Sequence, residues 1–223
     1  MKDTYKTIVA ESPVSLYKEK GSKFYGYAFP VKNEEEITHF LEQVKAKHHK
    51  ARHWCYAWQL GIEELSYKVN DDGEPSNSAG QPIYGQILSK DVTNVLVVVV
   101  RYFGGVKLGV GGLVRAYKTA AQLALESVEI VTKTIDQKFS LTFEYKDMNK
   151  VQRIIKKYQV PISNQNLELH CEYLITIRKG AIEKIINAFK ELRCVEVKIL
   201  NSAILIFLKY TLDILWVCQF SCQ

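Results

Sequence analysis

The sequence predicts an α+β protein built from two domains. Strand-like and helix-like segments alternate through the first half, and after about Thr134 the pattern restarts in the order βαββαβ. This second order is typical of ferredoxin-like domains. The predicted boundaries are 1–133 for a mixed α/β first domain and 134–210 for the second, with an atypical apolar tail at 211–223.

The first domain opens with an aromatic-rich segment, Ser22–Pro30, which predicts a strand. Asn33 then suits the cap of a helix, because three glutamates follow in the first turn and Glu36 has the spacing of a capping box. Apolar and weakly polar side chains recur through this segment at helical spacing. They are Ile37, Phe40, Leu41, Val44 and His48.

Five further elements are predicted before the boundary. Strands are expected at His53–Gly61, Leu65–Val69 and Val95–Val100, and helices at Ile83–Ser89 and Leu113–Val128. The apolar run Val95–Val100 has no alternation, which indicates a strand buried on both faces. In the second domain the predicted strands and helices are Phe139–Tyr145, Asp147–Tyr158, two strands within Pro161–Arg178, Ala181–Leu192 and Ile204–Leu208.

The composition indicates a globular protein and argues against a secreted or membrane-spanning one. Of the 223 residues 47% are hydrophobic and 24% charged, an ordinary globular balance. The residues after Met1 are polar and mixed, and Val95–Val100 is far too short to cross a bilayer, so neither a secretory signal nor a membrane span is predicted. Five scattered cysteines without a CxxC pair indicate reduced thiols, and we therefore expect a cytoplasmic protein.

The net charge of +6 is compatible with a polyanionic partner such as RNA. Residues 1–133 hold 17 basic and 15 acidic side chains, and residues 134–223 hold 13 and 9. The positive charge is thus denser in the second half. A mildly basic protein without such a partner is the plainer interpretation of charge alone.

A glycine-rich stretch joins the buried strand to the following helix and predicts an anion site. Glycines allow backbone N–H groups to converge on an anion, and a helix N-terminus adds positive potential. The residues predicted to hold an anion or nucleic acid here are Arg101, Tyr102, Gly104, Gly105, Lys107, Gly109, Gly111, Gly112 and Arg115. Neither GxxxxGK[ST] nor GxGxxG is present. The alternative is that the glycines only allow close packing.

A second set of residues could carry chemistry in a groove. His53 and Cys55 share one face of a strand, while Asp71, Asp72 and Glu74 crowd a turn and could act as acid, base or cation ligands. A packed histidine beside a buried cysteine, and aspartates that bond their own backbone, are the alternatives. No metal or cofactor is predicted.

Four cations are spaced to form one stripe on the first helix of the second domain. They are Lys146, Lys150, Arg153 and Lys157. Such a stripe could follow a phosphate backbone, although it is more often a solvated face, and aromatic residues for base stacking are missing from it.

Three motifs together resemble the YigZ/IMPACT family: HWCYAW at 53–58, DDGEPSNSAGQPI at 71–83 and VVVVRYFGGVKLGVGGLVRAY at 97–117. The resemblance extends over the chain to Tyr210, and the tail lies outside it. The sequence departs from the family pattern at Asn77, where glycine is usual.

The resemblance implies a first domain similar to domain IV of elongation factor G and a ferredoxin-like second domain. Eukaryotic IMPACT proteins restrain the kinase that senses amino-acid starvation by competing for its activator on ribosomes. The function expected for this chain is therefore a translation-associated binding protein that contacts RNA or the ribosome, with a role in regulating translation. An enzyme acting on a phosphorylated small molecule or nucleotide in the same groove, or a module that binds a protein partner in translation control, are the alternatives, and the oligomeric state is left open.

Overall fold

The computed structural model describes residues 3–168 and 170–200. The chain divides into a first unit, Thr4–Lys133, and a second unit that holds the other described residues. The predictions for the strand at 204–208 and for the tail at 211–223 lie outside the described residues.

A five-stranded antiparallel sheet forms the centre of the first unit, in the order β2-β3-β6-β4-β5. A separate two-stranded sheet pairs β1 with β7. The elements are β1 (Thr4–Ile8), β2 (Ser15–Glu19), β3 (Ser22–Pro30), α1 (Glu34–Lys47), β4 (His53–Leu60), β5 (Ser66–Asn70), α2 (Gly80–Ser89), β6 (Val95–Tyr102), α3 (Gly109–Glu126) and β7 (Ile130–Thr134). The sequence pattern missed β1, β2 and β7, which are short and consist mostly of half-exposed or exposed residues.

The central strand β6 is covered on both faces. Val95, Val97 and Val99 belong to the apolar cluster that α2 and α3 complete, and their neighbours along the strand belong to the cluster beneath α1. All six residues of Val95–Val100 are fully buried. The prediction of a strand without a polar face is confirmed, and its reason is the pair of helical layers.

The start of α1 confirms the predicted cap. Asn33 Oδ1 accepts a hydrogen bond from the backbone N–H of Glu36 at 2.9 Å. Glu36 Oε2 in turn accepts from the N–H of Lys32 at 2.8 Å, one residue earlier than a capping box requires. One unpaired N–H of the first helical turn and one N–H of the segment before the cap are thereby satisfied.

The second unit has the predicted ferredoxin-like order. Its elements are β8 (Asp136–Phe143), α4 (Met148–Tyr158), β9 (Ile162–Leu167), β10 (Cys171–Arg178), α5 (Ile182–Glu191) and β11 (Val195–Leu200). The sheet order is β11-β8-β10-β9, and both helices pack on one face of it. The edge position beside β8 is occupied by β11, a strand that the sequence analysis did not predict. None of the helices within residues 3–168 and 170–200 has the length and apolarity that a bilayer crossing demands.

Candidate functional site

Three predicted motifs meet at one end of the first unit's sheet. Glu74 of the acidic turn accepts a hydrogen bond from Arg101 Nη1 at 2.6 Å, where β6 ends. The two side chains are only 4% and 7% exposed. Arg101, predicted to hold an anion, is therefore already paired with a buried carboxylate.

Glu74 also links the ion pair to a buried tyrosine and cysteine. Tyr117 of α3 donates its hydroxyl to Glu74 Oε1 at 2.8 Å, and Cys55 Sγ lies 3.3 Å from the Tyr117 oxygen. Burial raises the pKa of the Cys55 thiol far above its ordinary value, and burial likewise raises the pKa of Tyr117. Cys55 is thus a protonated thiol near neutral pH, in agreement with the interpretation of a buried free cysteine.

Asp71 organises the turn that leads into α2. Its Oδ1 accepts hydrogen bonds from the N–H groups of Ala79 and Gly80 at 2.9 and 2.8 Å, and its Oδ2 accepts from Asn77 at 2.8 Å. The carboxylate thereby serves the start of a helix whose cap residue contributes no side-chain bond of its own. This is the capped turn that the sequence left as an alternative to catalysis.

Asp72 and His53 hold the same turn against β4. Asp72 Oδ2 accepts the backbone N–H of Trp54 at 2.6 Å, and His53 Nδ1 lies 2.8 Å from the Asp72 carbonyl oxygen. Each of the three acidic side chains in the turn thus has a partner within the fold. Within the described ranges, no three or more His, Cys, Asp or Glu side chains come together in a way that could hold a metal ion.

A pocket of about 270 Å³ opens beside the ion pair, at the start of α3; we call it the α3 pocket. Arg101, Phe103, Lys107, Leu108, Gly109 and Val110 are among the residues that line it. The sequence predicted a helix from Leu113, which is wrong, because α3 begins at Gly109. Three glycines predicted to lie in a loop, Gly109, Gly111 and Gly112, therefore form the first turn of the helix.

That first turn retains groups that could bind an anion. Leu108 at the cap offers no side-chain acceptor, and the first turn contains no acidic residue. The N–H groups of a first helical turn have no partner within the helix, and they point outward with the positive end of the dipole. In addition, Arg101 Nε is a buried donor that has no hydrogen-bond partner among residues 3–168 and 170–200, and the Arg101 side chain lines the pocket.

The other residues of the predicted anion site lie at different positions and do not all line the α3 pocket. Gly104 packs against the backbone of the β2–β3 turn, Gly105 adopts a φ of +89°, and Tyr102 lines a different pocket. Arg115 lies in the second turn of α3. The pKa of Tyr17 is raised chiefly by its hydrogen bond to Glu19, while the charge of Arg115 opposes that rise, which places Arg115 towards β2.

Two lysines of the predicted basic stripe in the second unit form ion pairs with neighbouring carboxylates. Lys146 lies before α4 and pairs with Glu144 at 2.7 Å, while Lys150 pairs with Asp147, also at 2.7 Å. Lys157 lies over the ring of its neighbour Tyr158. These contacts are those of a solvated face.

Comparison with known proteins decides the family. Residues 20–125 match the model of the Impact N-terminal domain. An "IMPACT family member" of Haemophilus influenzae is 35% identical over 185 residues, which cover 82% of this chain and 88% of that protein. The chain belongs to the IMPACT family. The Escherichia coli IMPACT family member YigZ is 33% identical over 164 residues, 72% of this chain and 80% of its own.

The IMPACT fold is also present in a solved structure, described as a crystal structure of a hypothetical protein. It covers 91% of this chain and all of its own, with a TM-score of 0.64 and 25% sequence identity. The predicted α+β class with two domains is confirmed by this likeness and by the observed sheets.

The departure from the IMPACT pattern at Asn77 has a structural reason. Asn77 has a φ of +60°, a left-handed conformation that glycine adopts freely and asparagine tolerates better than most residues. Its N–H reaches Asp71 in that conformation. The turn therefore keeps its shape without glycine.

A buried histidine that the sequence assigned only to the apolar stripe of α1 lies on the other face of the sheet. His48 is 8% exposed; its Nε2 is 2.5 Å from the Tyr27 hydroxyl and its Nδ1 is 3.0 Å from the Tyr102 hydroxyl. Burial lowers the pKa of His48, and the charge of Lys47 adds to this. Burial also raises the pKa of Tyr27 to about 12, so that Tyr27 keeps its proton.

Acidification is expected to destabilise this IMPACT protein through His48. An unfolded histidine titrates near a pKa of about 6.5. Because the pKa of His48 is lower in the folded protein, the unfolded chain binds more protons once the pH falls below the unfolded pKa. The stability that the protein has at higher pH is therefore lost as the pH falls towards 5. The melting temperature at pH 7.5 and 5.0 measures the effect. A His48→Gln variant should be less stable at pH 7.5 but vary less with pH; an unchanged slope would contradict the assignment.

Proposed function

We propose that this protein is a cytoplasmic, translation-associated protein that binds RNA, with a phosphate group held in the α3 pocket. The observation that carries the proposal is the buried Nε of Arg101, which finds no hydrogen-bond partner in the described part of the chain, beside the uncapped start of α3. Eukaryotic IMPACT proteins, to which the sequence resemblance points, act on ribosomes. RNA is the polyanion most abundant there.

The pocket combines backbone donors with charge. The first-turn N–H groups of α3 supply a fixed positive potential, and Lys107 supplies a full charge at the rim. Glu74 neutralises most of the Arg101 charge, so Arg101 is not a free cation at this site. A phosphate is small, carries acceptors on every side and suits this set of donors.

Gly111 further supports close approach of a ligand. A Cβ added to Gly111 would meet nothing within 4 Å, and the φ of Gly111 is not positive. Glycine in a helix costs about 0.5–1 kcal/mol relative to alanine. Gly111 leaves open space beside the backbone of the first helical turn, into which a ligand can approach.

Replacing Lys107 by alanine is expected to weaken binding of single-stranded RNA and to reduce the slope of log Kd against log salt by about 0.7, the value for one phosphate contact on a single strand. Fluorescence anisotropy with a labelled 12-nucleotide RNA, from low to moderate salt, measures both. Lys68→Ala is the matched control, because Lys68 is an exposed lysine of the edge strand β5.

Two outcomes would contradict the proposal. One is a wild-type protein that binds neither RNA nor ribosomes at low salt. The other is a Lys107→Ala variant indistinguishable from Lys68→Ala, which would move any RNA contact away from the α3 pocket.

A protein-binding role is the second candidate, and an exposed apolar cluster favours it. Phe103 and Val110, which line the α3 pocket together, are 56% and 57% exposed, and Val106 between them in the sequence is 52% exposed. Large exposed apolar groups that lie together are typical of interaction sites. Association with ribosomal fractions that survives nuclease treatment would favour this role over RNA binding.

A further inference from the structure

We propose that a second pocket of the first unit is a stacking site for an unpaired nucleobase of RNA; this inference rests on the proposed function. The pocket has a volume of about 520 Å³ and is lined by Gly21, Lys23, Tyr25, His48, Tyr102 and Phe103. We call it the aromatic pocket. Four of its six residues carry flat rings, and one carries a positive charge.

The rings of this pocket are held in place by one another. Tyr25 and Tyr102 meet edge to face with their centroids 5.7 Å apart, and the His48 ring lies 5.1 and 5.8 Å from them. The hydrogen bond between His48 Nδ1 and the Tyr102 hydroxyl fixes the wall further. A wall that is ordered before the ligand arrives loses little conformational freedom on binding.

Phe103 is the exposed ring of the set. It is 56% exposed, and it lines both the aromatic pocket and the α3 pocket. On one side its ring meets the guanidinium of Arg101, whose Cζ lies 5.6 Å from the ring centroid. The two pockets are therefore adjacent, as a base and a neighbouring phosphate of one strand require.

The chemistry favours a single strand over a duplex. A base in a duplex already has stacked and paired faces, whereas an unpaired base can stack on an aromatic side chain. Every base has such a face, so stacking sites of this kind tolerate different sequences. Lys23 is exposed at the pocket and suits the phosphate that follows the base.

Phe103→Ala is expected to weaken binding of a single-stranded 12-nucleotide RNA about tenfold, the effect of losing one stacked base. The substitution should leave two other affinities unchanged: that for the same strand with abasic central positions, and that for a duplex of the same sequence. Phe103→Trp should keep the affinity of the wild type. Val106→Ala is the control, because Val106 is 52% exposed on the same segment and lines neither pocket.

The outcomes separate this inference from the function on which it rests. Equal losses for the intact and the abasic strand, or no loss for Phe103→Ala while Lys107→Ala still weakens binding, would overturn the stacking site alone. A wild-type protein that binds no RNA would overturn both. Circular dichroism of each variant shows that the affinity change does not come from unfolding.

Discussion

Replacing Glu74 by glutamine is expected to lower the free energy of unfolding by about 3–5 kcal/mol, because removal of one partner leaves a buried charge uncompensated. The Glu74 and Arg101 side chains are 4% and 7% exposed, so water cannot replace the lost carboxylate. Tyr117 donates to the same oxygen, and the amide of glutamine accepts that bond less strongly. Urea-induced unfolding followed by tryptophan fluorescence measures the change.

The matched control for this experiment is a surface ion pair. Lys90 and Glu126 meet at 3.2 Å with side chains 32% and 43% exposed. Exposed pairs of this kind contribute little because solvent screens them, so Glu126→Gln should change stability little. If the two glutamine variants were equally stable, the buried pair would not hold the acidic turn to β6.

Replacing Gly104 by alanine is expected to cost about 3 kcal/mol or more, as overpacking against backbone does. An added Cβ would lie 1.9 Å from the carbonyl carbon of Gly21 and 2.1 Å from the nitrogen of Ser22. Neither atom can turn aside as a side chain would. The hydrogen bond from Gly104 N–H to Ser22 Oγ, 3.1 Å long, would be lost in any shift.

The control is a glycine with free space around it. Gly85 lies in α2 and a Cβ there would meet nothing within 4 Å, so Gly85→Ala should stabilise the protein by up to about 1 kcal/mol. Melting temperatures of the two variants measure the contrast. A Gly104→Ala protein as stable as the wild type would show that the β2–β3 turn does not fix the glycine-rich segment.

Phe103, which lines both pockets, lies next to this close approach. Because Phe103 precedes Gly104, a shift of the segment moves the ring as well. Gly104→Ala should therefore also weaken RNA binding, whereas Gly85→Ala should leave it unchanged. The same substitution is thus expected to lower both the stability of the protein and its affinity for RNA.

Much of the first unit followed from local patterns. The Asn33 cap, the strand Ser22–Pro30 and the two-sided burial of Val95–Val100 depend on residues close together in the chain, so the sequence alone was enough to predict them. The start of α3 was missed because glycines are poor helix formers, and the packing of Leu113 and Ala116 into the apolar cluster beneath the helix overrides that preference.

The sequence by itself determined the fold class, most elements and the family, because periodicity, caps and motifs are properties of adjacent residues. Only the tertiary structure decided the contacts of the site. Glu74 meets Arg101 across 27 residues, and His48 meets Tyr102 across 54. Such pairs form where the order of the strands brings distant segments together, and that order is set by packing of the whole sheet.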